Sequence, residues 1–173
     1  MMRALWLALV AVVMLSGLTG QASALACSVS PAGTLTFDPA YARSTPVTGG
    51  GSIGVTCSEG VSNETVNICL ALGSAAAGSY SGTGWPLIAA SSAPRFTVKS
   101  GNADLAETMV NIGTVSLTSG VGSNSFPLSG SISWLGYSGV AGSFSTSFPQ
   151  AKISFGPSTD CSDASEASAT LTV

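Results

Sequence analysis

Few residues in this chain are able to do chemistry, and their spacing says which chemistry is open. Four cysteines, Cys27, Cys57, Cys69 and Cys161, are separated by 29, 11 and 91 residues, and the 173-residue chain contains no histidine. Without an imidazole, the usual general base near neutral pH is missing and no Ser-His-Asp or Cys-His arrangement can be built. Zinc needs thiols paired at short spacing, so this pattern points away from a metal and toward two disulfides in an oxidising compartment. Three pairings of four cysteines are open at this point. An enzyme would have to use carboxylates or a Ser-Lys dyad. Asp104 and Glu107 sit three residues apart and would share a helix face, Lys99 precedes Ser100, and Asp160 and Asp163 flank Cys161 in a Ser/Asp-rich loop. A solvated turn is the preferred reading of the first pair, and the last lacks a recognisable calcium-loop pattern. Asn63-Glu64-Thr65 matches the glycosylation triplet formally. No catalytic residue, metal or cofactor is expected, and the chain is read as not an enzyme.

The compartment follows from the first residues. Arg3 supplies a positive start, Ala4 to Leu15 is unbroken apolar sequence, and Ala22-Ser23-Ala24 is an A-x-A cleavage site, which together make a signal peptide over residues 1–24. A membrane-spanning helix needs roughly 20 apolar residues, so an uncleaved anchor is the weaker reading. Ala24-Leu25-Ala26 forms a second site. It also resembles a lipoprotein signal acylating Cys27, although Ala24 stands where such signals carry Leu. Residues 25–173 then form one exported domain. Without Arg3 the chain carries four basic residues against eight acidic ones, net −4, with no cluster of cations able to hold nucleic-acid phosphates.

The elements that must position these residues read as strands. Ile53, Val55 and Cys57 alternate with small or polar neighbours, and Val66, Ile68, Leu70 and Leu72 point one way while Cys69 points the other. Phe96 and Val98, Ile112 with Val115 to Leu117, Ile132 and Trp134, Ile153 and Phe155, and finally Ala169, Leu171 and Val173 repeat the theme. Gly, Pro, Ser and Asn are expected to interrupt the runs at Pro46 to Gly51, Gly73 to Gly84, Gly120 to Asn124 and Gly136 to Gly142. About seven strands separated by such turns imply an all-β sandwich. Ala103 to Val110 is the one stretch expected to form a helical turn.

The segment from Cys27 through Phe37-Asp38-Pro39-Ala40-Tyr41, followed by a Gly-rich gap and Gly51-Ser-Ile-Gly-Val-Thr-Cys57, resembles the opening of the spore coat protein U family, with Asp38 in place of the usual glycine. Val66 to Gly73 is similar to that family's third strand, Arg95 to its arginine, and Ala141-Gly-Ser-Phe144 to its late turn. The similarity spans most of residues 25–173 and is most specific in the first third. It implies an immunoglobulin-like sandwich lacking its final strand, acting as a structural and adhesive subunit of archaic chaperone-usher pili used in attachment and biofilm formation. The implied partners are a periplasmic chaperone, an outer-membrane usher, other pilus subunits and a host or abiotic surface. The resemblance further implies a Cys27–Cys57 disulfide between neighbouring early strands, and with it a Cys69–Cys161 pair.

Assembly of such domains works by strand addition, because an incomplete sandwich leaves unpaired backbone groups and an open groove that another strand fills. Leu171 and Val173 are expected to border that groove. Cleavage after Ala24 leaves only Leu25 and Ala26 ahead of Cys27, too little to donate, which places the subunit at a pilus tip. Binding is then expected from loops: Trp85, Leu87 and Ile88 lie between Gly82-Thr83-Gly84 and Ala89-Ala90-Ser91, where no alternation marks a strand, and form the expected surface-binding loop. Phe126-Pro127-Leu128 and the stretch carrying Tyr137, Val140 and Phe144 are expected in further loops, with Trp134 in the core. The alternative function is a free secreted or coat-associated carbohydrate-binding module.

Overall fold

The computed structural model describes residues 24–29, 33–37, 47–81, 84–87, 94–133, 146–163, 165–169 and 171–172. Among the described residues there are twelve strands: β1 (Ala26–Val29), β2 (Gly33–Phe37), β3 (Val47–Ser58), β4 (Thr65–Ala71), β5 (Trp85–Pro86), β6 (Arg95–Ser100), β7 (Ala103–Asp104), β8 (Val110–Ser116), β9 (Gly122–Ser133), β10 (Lys152–Gly156), β11 (Glu166–Ser168) and β12 (Leu171–Thr172). One sheet has the order β12-β2-β3-β9-β6-β5, with β1 also on β3 and β7 on β6; the other has the order β11-β10-β4-β8. These are the two layers of an immunoglobulin-like β-sandwich.

Alternation decides which side of each strand is buried. In β3, Ile53, Val55 and Cys57 are buried while Ser52 and Thr56 are exposed, and Phe126, Leu128 and Ile132 of its ladder neighbour β9 line the same core-facing side of the sheet. β4 and β10 instead become buried on both faces toward their ends. The reason is the loop after β10: Pro157 and Thr159 accept hydrogen bonds from the side-chain amides of Asn67 and Asn111, so this loop lies over the outer face of β4 and covers Cys69.

Three local expectations are corrected. Gly49 to Gly51 do not break the chain but lie inside β3, which pairs with β9 over eleven consecutive residues from Val47 to Cys57 and with β2 across Gly49 to Ser52. Flanking ladders on both sides override the turn preference of glycine there. Gly122 to Asn124 and Phe126-Pro127-Leu128 likewise belong to β9, with Phe126 and Leu128 in the core. Pro127 stands one residue beyond Leu128, where the β6 ladder ends, so β9 has β3 alone beside it and tolerates the missing N–H. No helical turn forms over Ala103 to Val110: Leu105 is buried and donates its N–H to Val98 O at 2.9 Å, and Ala106 O accepts from Leu72 N at 3.1 Å. Those bonds cross to neighbouring strands instead of closing a helix. Trp134, Tyr137, Val140 and Phe144 lie outside the described residues.

Candidate functional site

Two disulfides are present, Cys27–Cys57 and Cys69–Cys161. Cys27 and Cys57 are direct ladder partners where β1 meets β3, and both are buried. Cys69 ties β4 to the loop between β10 and β11. Two such bonds fit an extracellular or periplasmic compartment.

The final segment closes the sandwich on one side. Ser154, Ile153 and Lys152 of β10 pair with Glu166, Ala167 and Ser168 of β11. The same antiparallel run continues through Ala169 N to Ala151 O (2.9 Å) and Phe148 N to Leu171 O (3.0 Å), ending at a Ser147–Thr172 bridge. On its other side β12 pairs with β2 in parallel, over Leu171–Gly33 and Thr172–Thr34 alone. Where the sequence led us to expect a vacant final-strand position, β11 and β12 occupy its start. Leu35 to Phe37 have β3 on one side and, among the described residues, no strand on the other. Leu171 is fully buried and belongs to the core; Val173 lies outside the described residues.

Two other edges, at β8 and β6, are guarded. On β8, the Asn111 side chain accepts from Gly113 N at 2.9 Å and the Asn124 amide donates to Thr114 O at 2.9 Å, so side chains satisfy edge groups that another chain would use. On β6, the outer edge is covered by β5 and β7. The seam beside β2 has no comparable cover along Leu35 to Phe37 among the described residues.

The expected binding loop is corrected at Trp85 and Leu87. Trp85 is fully buried and Leu87 nearly so; Ile88 lies outside the described residues. Trp85 packs between Phe96, Phe148 and Tyr80 at ring-centroid distances of 5.8, 5.0 and 4.9 Å. Its strand is only two residues long, too short for alternation to show, which is why the sequence pattern missed it. Gly84 at φ 118° lets the chain enter this strand, since a Cβ there would collide with Phe96 O.

The exposed large apolar residues among those described are elsewhere: Val61, 72% exposed, and Val121, 54% exposed. They sit on two loops strapped together at one pole of the sandwich. Gly60 N donates to Gly120 O (3.3 Å), Asn63 N to Leu117 O (3.0 Å), Leu117 N to Glu64 O (2.8 Å) and Ser119 N to the Ser62 hydroxyl (3.2 Å). Gly120 sits so close to Gly60 O that a Cβ would approach it to 2.8 Å. A lone valine inside each of the turns Glu59-Gly-Val-Ser-Asn and Thr118-Ser-Gly-Val-Gly was the available sequence signal.

The charged candidates hold structure. Asp104 pairs with Lys99 at 2.9 Å on the surface, and Ser100 beside Lys99 is buried. Glu107 accepts from Tyr80 N at 3.0 Å and the Ser74 hydroxyl at 3.5 Å, pinning the loop over Trp85. Asp163 accepts from Ser158 N at 3.1 Å, and the Asp160 carboxyl, bonded by the Ser162 hydroxyl and N–H, titrates below its ordinary value. No group of three metal-ligating side chains occurs among the described residues. Asn63 is exposed, in a left-handed turn at φ 63°. Comparison with protein-family models, with curated proteins and with solved structures gives no match.

Proposed function

We propose that this chain is an exported structural and adhesive subunit of a surface fibre of the chaperone-usher kind, joined to its neighbours by strand addition at the seam beside β2. The observation that carries the reading is the unequal guarding of the edges: β6 and β8 are capped, while Leu35 to Phe37, next to the buried Leu171, have no strand on their outer side among the described residues. Main-chain groups of that kind accept an extended strand, whose alternate side chains then reach the core. The pole bearing Val61 and Val121 is the contact surface in this reading, and the partners are a periplasmic chaperone, an usher, other subunits and an apolar or host surface.

The test is to co-express the full chain with an archaic-type periplasmic chaperone and isolate complexes through the chaperone. An equimolar complex in which amides of Leu35 to Phe37 become protected from hydrogen exchange is expected. Recovery of the chain as a free monomer, with those amides unchanged, refutes the reading.

A second reading, a free carbohydrate-binding module, is favoured by the outer face of β3 and β9, where Ser52, Thr56, Ser123, Ser125 and Ser129 expose hydroxyls without a carboxylate among them. Binding to neutral glycans without any fibre partner would select it.

A further inference from the structure

We infer that the pole bearing Val61 and Val121 binds a basic, apolar polypeptide segment, one in which Lys or Arg flanks an aliphatic side chain. This deepens the fibre reading and rests on the contact surface assigned there, because it names the chemistry of the partner.

The apolar half of the site is the valine pair. The charged half is Glu59, which is exposed two residues before Val61 and is followed by Gly60, whose N–H is strapped to the carbonyl of Gly120 beside Val121. Glu59 stands at φ 64°, in the left-handed region that favours glycine and asparagine. Asn63 at 63° and Ser119 at 54° share that conformation, so three of the four such non-glycine residues among those described lie in these two loops. Strain of this kind gathers at functional sites. Asn63 suits its position by conformation alone, whereas the turn itself gives no reason for a carboxylate at Glu59.

No cation among the described residues answers that carboxylate. Lys99 is held by Asp104 at 2.9 Å, Lys152 by Glu166 at 2.8 Å, and Arg95 donates to Gly84 O at 2.9 Å. Glu64, half-buried in the same turn, adds a second negative charge and accepts from Val61 N at 3.1 Å, which fixes the backbone that carries the valine. The pole therefore offers two aliphatic groups beside uncompensated negative charge, and its complement is apolar and positive. That sign repels nucleic-acid phosphates and anionic lipid headgroups. A polypeptide fits it, because Lys and Arg carry their charge on an apolar stem that packs against valine.

The test couples alternating Lys-Leu, Glu-Leu and Lys-Ser peptides to beads and measures retention of the full-length chain at low salt. Retention on Lys-Leu is expected to exceed that on either of the others severalfold, and Val61→Ser/Val121→Ser to bring it down to the Lys-Ser level. Because the whole chain is acidic, the decisive comparison is Glu59→Gln with Asp160→Asn, which remove the same charge from different places. The first is expected to lower retention on Lys-Leu severalfold and the second to leave it unchanged. Native retention by Glu59→Gln, equal losses in both variants, or no preference for Lys-Leu over Glu-Leu overturns the inference. A chaperone complex formed by the same preparation would then leave strand addition standing without this adhesive surface. A Lys-Leu preference in a chain that forms no chaperone complex would instead keep the binding pole and remove the fibre.

Discussion

The indole N–H of Trp85 donates to the carbonyl of Gly73 at 3.0 Å, so the largest buried side chain among the described residues has its polar end satisfied by a loop that folds over it. An aromatic group of this size dominates local packing when its N–H finds a partner. Trp85→Ala therefore leaves a cavity between Phe96 and Phe148 and costs about 3–5 kcal/mol. For a domain of this size that is about 6 to 20 °C in the melting midpoint. A circular-dichroism melt decides it: a shift of a degree or two would return Trp85 to the surface.

The two disulfides differ in loop length and in access. They join residues 30 and 92 apart in sequence. On chain entropy alone, removing them costs about 3.5 and about 4.5 kcal/mol respectively. Cys27 and Cys57 are both buried, whereas Cys161 is half-buried. A mild thiol reductant acting on the folded protein is expected to open Cys69–Cys161 first, since exchange requires access to a sulfur. Alkylation and peptide mapping at partial reduction check the order, and label appearing first on Cys27 or Cys57 contradicts it.

What the sequence made legible was whatever obeys period two over a long run. Ile53, Val55 and Cys57, and Val66 to Leu72, gave the core faces of β3 and β4 directly. Trp85 and Leu87 failed because a two-residue strand has no period, and because glycines beside them suggested a loop when Gly84 serves close packing against Phe96 O. Gly49 to Gly51 failed in the opposite sense: residues poor at forming strands are held in one by ladders on both sides, a tertiary effect with no local signature. The parallel β12–β2 contact and the strapped loops around Val61 and Val121 are juxtapositions of distant segments, which periodicity does not report.

Asp160 gives a pH signature. The Ser162 hydroxyl and then the Ser162 N–H favour its charged form, so its folded-state pKa lies below the ordinary value. A depressed carboxyl contributes stability that is present above its unfolded pKa and lost as pH falls through its folded one. The window therefore opens at about pH 4 and extends downward. The group is fully exposed, so the effect is small. Melting midpoints of the native chain and of Asp160→Asn, measured from pH 6 to pH 2, are expected to converge in acid. A constant gap across that range would remove Asp160 from the acid response.

The pole separates stability from adhesion. Val61 and Val121 are exposed at 72% and 54%, so replacing both by serine removes little buried surface and is expected to change stability by no more than about 0.5 kcal/mol. Their loops, by contrast, are fixed: Gly60 N meets Gly120 O, and a side chain at Gly60 would strike Leu117. A rigid mount presents apolar groups to a surface without an ordering cost at the moment of contact. Val61→Ser/Val121→Ser should thus melt with the native protein yet bind less to an apolar bead, whereas Gly60→Ala should lower the melting midpoint by displacing the strap. Equal binding by the native protein and the double variant would show that these valines are incidental and that any adhesive surface lies on another face.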